Sequence, residues 1–401
     1  MNQQTHVCSS EGNGEAMTDR LAAARDLLRR YPLIDGHNDL PWEIRDVFGG
    51  DPVRARLTEP VPQTQTDLPR LADGGVGAQF WSVDVPGTLA GDAAVTVVLE
   101  QIDLVHRMVR AYPDRLALAT RADDVERVFA AGKVASLLGA EGGHSIGSSL
   151  GVLRALYTLG VRYLTLTHNS NVGWADAATD EPGAGGLSDF GRTVVREMQR
   201  IGMLVDLSHV APSTMHDALD VAAAPVIFSH SSARALCDHP RNVPDSVLTR
   251  LAANGGICMV TFVPFFVSPA CAQWQAGLLA EIGRRGLDPR DMATWDTVVP
   301  EWHASHPPPE ATLSQVADHI EHVRAVAGID HVGIGGDYDG SAQMPAGLAD
   351  VSRYPALFAE LLARGWTETD CAALAGGNVL RVLRAAEHAA GDVAIAAPAC
   401  R

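Results

Sequence analysis

A closed α/β barrel, with eight parallel strands each followed by a helix, is the fold class this sequence predicts. Short apolar runs alternate with helical patterns along the chain, the signature of βα units and a parallel sheet. Eight such runs occur, enough to close a ring. Four of them, LIDGHNDL, VASLLGAEGG, MLVDLSHV and PVIFSH, deliver imidazole or carboxylate at their far ends: His37, Asp39, Glu141, His209 and His230. A barrel that gathers its site at the C-terminal ends of its strands accounts for that placement.

The elements follow in order. The first 17 residues are polar and Gly/Ser-containing, and are expected to be a disordered lead-in. A helix from about Met17 to Arg30 precedes the first strand, Leu33–His37. The other expected strands are Gly77–Val83, Val134–Ala140, Tyr163–Thr167, Met203–Leu207, Val226–Ser229, Gly256–Phe262 and His331–Gly336. Helical patterns such as AAVTVVLEQIDLVHRMVRAY, LGVLRALYTLG, FGRTVVREMQRIG and PSTMHDALDVAA lie between them. About seventy residues separate the seventh and eighth strands. That exceeds a simple crossover, so an insertion over the barrel mouth is expected near residues 263–315. The last helical stretches, YPALFAELLARG, TETDCAALAGGN and VLRVLRAAEHAA, complete one catalytic domain spanning 18–390, with 391–401 as a tail. No Gly-x-Gly-x-x-Gly helix start favours a dinucleotide fold; GIGGDYDG matches that pattern only weakly.

Composition narrows the function classes. The 401 residues are 46% hydrophobic and 20% charged, an ordinary globular balance, and the formal net charge is −17. Acidity on this scale argues against nucleic acid and against an anionic membrane surface. Lys133 is the single lysine among 31 basic residues and lies at the opposite end of its strand from Glu141. A lysine Schiff base and a carbamylated lysine bridging two metals are therefore disfavoured. The six cysteines (8, 237, 258, 271, 371 and 400) show no C-x-x-C spacing and read as reduced thiols. No signal-peptide core, membrane span or lipid-anchor pattern is visible, so a cytoplasmic location is expected.

His37 and Asp39 share a face by the period of two. With Glu141, His209 and His230 they supply the donors that bind zinc, and five such groups converging in one buried mouth require a cation or partners. Two ions are satisfied if one carboxylate bridges them, and Glu141 lies between the other two pairs around the ring. At the end of VGIGGDYDG, Asp337 is the favoured proton shuttle, with Asp339 on the same face as its competitor. His168, finishing YLTLTHN, is either a donor to the developing oxyanion or a core histidine bonded to backbone. Arg241, in the loop SSARALCDHPRN, could grip a carboxylate with its planar fork or stand as a surface arginine.

LIDGHNDLPWEIR, AEGGHSIG, LTLTHNSNVGWAD, VDLSH, FSHSSARALCDHPRNVPD and GIGGDYDG resemble, in order, the signatures of the membrane (renal) dipeptidase family of zinc peptidases. The similarity runs from about Tyr31 to Glu387. It implies a (β/α)8 barrel of the amidohydrolase type, two zinc ions per chain bridged by Glu141 and a hydroxide, and hydrolysis of dipeptides, including those with a D-configured C-terminal residue. It further implies His37, Asp39 and Glu141 on one zinc and Glu141, His209 and His230 on the other. His168 would contact substrate and oxyanion, Arg241 the C-terminal carboxylate, and Asp337 would shuttle the proton. Secreted mammalian members have a signal peptide, disulfides and a lipid anchor, which this sequence does not display. It is similar rather to a bacterial cytosolic member. Small dipeptides, and a second copy of the chain as a homodimer, are the partners expected. The rival readings are a related dinuclear-metal barrel hydrolase for another amide or ester, and a catalytically silent metal-binding barrel. Loops 7 and 8 are expected to shape the side-chain pockets.

Overall fold

The computed structural model describes residues 10–288 and 292–390. Nine parallel strands form one sheet: β1 (Leu33–Asn38), β2 (Val76–Asp84), β3 (Leu116–Leu118), β4 (Val134–Glu141), β5 (Val161–Thr165), β6 (Leu204–Asp206), β7 (Ile227–Phe228), β8 (Ile257–Val260) and β9 (Val332–Ile334). Eight of them close a ring in the order β1-β2-β4-β5-β6-β7-β8-β9, with β9 returning to β1 and β2 pairing with β4. This is the expected barrel.

The remaining strand is the difference. β3 pairs with Val134–Ser136 at the entry of β4, while β5 takes up Leu138–Ala140 further along. LAL is too short to stand out from the loop after a long helix, and only the open edge at the start of β4 makes it a strand. Several barrel strands are shorter than expected, β8 and β9 by three residues each and β7 by two. The first helix spans Ser10–Arg30, beginning seven residues before the expected start at Met17 and taking in the end of the expected lead-in. Residues 1–9 and the tail 391–401 lie outside the described residues.

One packing relation inside the barrel orients the site. Tyr163 of β5 is fully buried against Phe80, ring centroids 5.2 Å apart. A Cβ at position 139 would collide with the Tyr163 ring, so Gly139 of β4 is the space that ring occupies. Between β8 and β9 the chain runs through helices Pro264–Val267, Pro269–Arg284 and Met292–Ser305. The latter two share a small apolar core of Leu278, Ile282 and Val298, bordered by Trp274 and Trp302. No helix among the described residues is long and apolar enough to cross a membrane.

Candidate metal centre

The strands deliver their donors to one end of the barrel. His37 is the next-to-last residue of β1, and Asp39 is the residue before helix Leu40–Phe48. Asp39 stands where a carboxylate commonly caps a helix, yet its side chain makes no cap hydrogen bond. It turns instead to His37, whose Nε2 lies 3.4 Å from Asp39 Oδ2 and 3.4 Å from Glu141 Oε2. The other oxygen of Glu141, Oε1, lies 3.0 Å from His209 Nε2 and 3.4 Å from His230 Nε2. One carboxylate therefore faces two separate imidazole groups with its two oxygens. His209 occupies the left-handed region at φ 68, strain of the kind that collects at functional sites.

The hydrogen bonds behind the imidazoles decide which nitrogen is free. Ser229 donates its hydroxyl to Asp206 Oδ2 at 2.6 Å, so in its 2.8 Å contact with His230 Nδ1 the imidazole is the donor. Tyr163 donates to the Gly36 carbonyl at 3.1 Å and hence accepts from His37 Nδ1 at 2.8 Å. Both histidines thus donate from Nδ1, which leaves Nε2, facing Glu141, as the nitrogen available to a cation. Asp206 is itself held by Thr165 Oγ1 at 2.6 Å and by the Ser208 and Ser229 backbone amides. Asp35 accepts from the His37 and Gly336 amides, from Gln79 and from Tyr354.

His209 shows that the donor set fits a cation. Its Nε2 is 2.9 Å from His230 Nε2, and its Nδ1 is buried without a partner. With the proton on Nδ1, two lone pairs confront each other; with it on Nε2, a lone pair is buried unmatched. A positive ion among the Nε2 atoms and Glu141 removes the conflict. The groupings His37–Glu141–His230, Glu141–His168–His209 and His37–Asp39–Asp337 each place one donor atom per residue within 4.8 Å of one another.

Electrostatics separate the imidazoles: burial acts to lower His37, but in the metal-free protein Tyr163, Glu141 and Asp39 hold it well above the usual imidazole range, so a cation there displaces its Nε2 proton. Burial, followed by the Arg241 charge, holds His209 well below the usual imidazole range; burial and then His37 do the same to His230, so both are neutral donors. Burial acts to raise Glu141, but His37 and His168 hold it well below the usual carboxylate range. At Asp337, burial, and with it the charges of Asp39 and Glu141, prevail over His37 and Arg241 and push the carboxyl up to about 8.

All eight sequence-predicted residues meet here. His168 lies three residues past β5, with Nε2 3.9 Å from Glu141 Oε1 and Nδ1 3.7 Å from Asp84 Oδ1. Asp337 sits three residues past β9 at φ 62, and a Cβ on Gly340 would collide with both the Asp39 and Asp337 carboxylates. Asp339, the competitor, is engaged elsewhere: its Oδ1 accepts the Gln65 amide at 2.5 Å and its own amide donates to Gln65 Oε1 at 2.9 Å. Arg241 is no surface residue. It is 2% exposed, with Nη2 3.3 Å from the His230 carbonyl.

Asp35, Asp84, Tyr163, Asp206 and Ser229 were not anticipated. Asp35 and Asp206 did carry a signal, because an aspartate inside an apolar run such as LIDGH or LVDLSH can be buried only with partners. A cavity of about 280 Å³ opens beside His168, lined by Leu89, His144, Ser148, Val172 and Trp174 among others. These belong to the loops after β2, β4 and β5, and not to loops 7 and 8.

Fold and site together define a class: α/β barrels with a carboxylate and imidazole cluster, fit for metal, at the C-terminal mouth of the strands. The chain belongs to the membrane dipeptidase family (peptidase family M19), whose model matches residues 21–396. Dipeptidase 3 of Mus musculus is 43% identical over 367 residues, which are 90% of this chain and 66% of that protein. The chain thus spans about two thirds of the length of that relative. Among solved structures, a probable dipeptidase PvdM from Pseudomonas aeruginosa shares the fold with a TM-score of 0.81 and 24% identity, over 93% of this chain and 99% of that one. A metallopeptidase from Rhodobacter sphaeroides, liganded with a phosphinate mimic of the dipeptide L-Ala-D-Ala, matches with a TM-score of 0.72 and 25% identity over 89% of this chain and 99% of that one.

Proposed function

We propose that this chain is a zinc-dependent dipeptidase with a dinuclear centre bridged by Glu141. The observation that carries the reading is the division of Glu141, Oε2 toward His37 and Oε1 toward His209 and His230. In this reading His37, Asp39 and Glu141 hold one ion, and Glu141, His209 and His230 the other. When bound, the two ions would supply an activated water at neutral pH and Lewis acidity at the scissile carbonyl.

The chain's own residues do the rest. Asp337, with a carboxylate oxygen within 4.8 Å of donor atoms of His37 and Asp39, takes a proton from the attacking water and returns it to the leaving amine. His168 donates to the carbonyl oxygen as negative charge develops. Arg241, a buried guanidinium, grips the free α-carboxylate, and the cavity beside His168 has room for a substrate side chain. A D-configured C-terminal residue belongs to the reading, supported by the ligand of the Rhodobacter sphaeroides protein. A cytoplasmic location is supported by the buried free thiols of Cys237, Cys258, Cys271 and Cys371.

The test is a panel of L,L and L,D dipeptides, assayed before chelation, after it and after return of zinc. Hydrolysis that disappears and returns is the expected result. Dipeptides left intact by the zinc-loaded chain would overturn the reading.

A further inference from the structure

Arg241 is buried, yet its polar contacts are too long to fix its direction: Nη1 to Ser231 Oγ at 3.4 Å, Nη2 to the His230 carbonyl at 3.3 Å, and no partner for Nε. The insertion after β8 supplies what those contacts lack. Phe266, in helix Pro264–Val267, places its ring centroid 5.1 Å from the guanidinium carbon. A ring over the face of a guanidinium attracts its charge while leaving the in-plane N–H fork free to meet a carboxylate.

His239 packs against the same ring, centroids 4.6 Å apart. Its Nδ1 accepts the Arg241 backbone N–H at 3.2 Å. The ring proton is therefore on Nε2, which donates to Gln275 Oε1 at 3.1 Å, and Gln275 belongs to helix Pro269–Arg284. The next residue, Asn242, donates Nδ2 to the Phe266 carbonyl at 2.7 Å and to the Cys237 carbonyl at 2.8 Å. The loop that carries Arg241 is thus fastened to the insertion by ring, side chain and backbone.

We propose that Phe266, His239 and Gln275 are positioning residues that aim Arg241, making the insertion the element that selects substrates with a free α-carboxylate. The inference rests on the reading of Arg241 as the carboxylate anchor.

The experiment compares a dialanine with its C-terminal amide on the zinc-loaded full chain and on variants Arg241→Ala, Phe266→Leu, Phe266→Tyr and Gln275→Ala. Zinc content is measured on each. Phe266→Leu should raise KM for the free dipeptide about 3-fold to 30-fold, the range cation–ring contacts span from exposed to desolvated, without a matching loss of kcat on the amide. Phe266→Tyr should restore the preference, and Gln275→Ala should erode it in the same direction with zinc content unchanged. If Phe266→Leu does not fold, Gln275→Ala decides. A preference that collapses in Arg241→Ala but survives intact in Phe266→Leu and Gln275→Ala would overturn this inference alone. A preference that survives in Arg241→Ala would overturn the carboxylate anchor and this inference with it.

Discussion

Replacing Ser229 with alanine removes one hydroxyl that stands between Asp206 and His230. It accepts from His230 Nδ1 at 2.8 Å and donates to Asp206 Oδ2 at 2.6 Å. Without it, Asp206 keeps Thr165 Oγ1 and the amides of Ser208 and Ser229, so the carboxylate stays held and the barrel should fold. His230 does not fare as well. Its Nδ1–H is left in a buried space without an acceptor, at a cost of about 1–3 kcal/mol, and nothing then fixes the lone pair on Nε2. Partners behind a metal-bound histidine are typically worth about 10-fold to 100-fold in metal affinity. Ser229→Ala should therefore weaken zinc at the His209/His230 position by that factor and spare the His37/Asp39 position. Tyr163→Phe, which removes the acceptor of His37 Nδ1, should do the reverse. Zinc release against a graded chelator series measures both. Unchanged release in both variants, or equal weakening of both positions by Ser229→Ala, would refute the tautomer assignment.

Other predictions concern protons and substrate. Asp337→Asn should retain metal but lower kcat by about 10²-fold to 10⁴-fold; metal loss would reassign Asp337 as a ligand, and a large kcat loss confined to Asp339→Asn would reverse the choice between the two. Capping the substrate as a C-terminal amide leaves Arg241 unpaired, so kcat/KM should fall at least about 10-fold, and equal cleavage of acid and amide would contradict that. In the metal-stripped protein, Asp337 is raised from the ordinary 3.8 to about 8, so the folded state binds its proton more tightly than the unfolded state. Stability from this group is present below about pH 4 and is lost as pH rises toward about 8. Denaturant unfolding across that window should show the decline, and Asp337→Asn should flatten it in part; Asp84 and Asp339, each raised to about 7, contribute with the same sign.

The barrel and the convergence of the candidate donors were legible because both are repetitive. Apolar runs recur at a steady period, and the five donors stand at the ends of four of them, so the order of the runs already states position in the ring. β3 was not legible, since three residues carry no period and pair only because β4 offers an edge. Nor was the support behind the imidazoles. Tyr163 and Ser229 look like ordinary strand residues until the closed barrel brings them against His37 and His230 from other strands or from the next position. The cavity beside His168 was not legible either: it is built from the loops after β2, β4 and β5, while the insertion after β8 sets Phe266 against Arg241.

Zinc stoichiometry of the active protein tests the central claim most directly, because bridging by Glu141 requires two ions. Elemental analysis of purified, active chain should find about two zinc equivalents, and Glu141→Gln should weaken both together, whereas His37→Ala should mainly empty one. Fully active protein holding one equivalent or none, or a Glu141→Gln variant that loses a single ion and keeps the other at full affinity, would contradict the account.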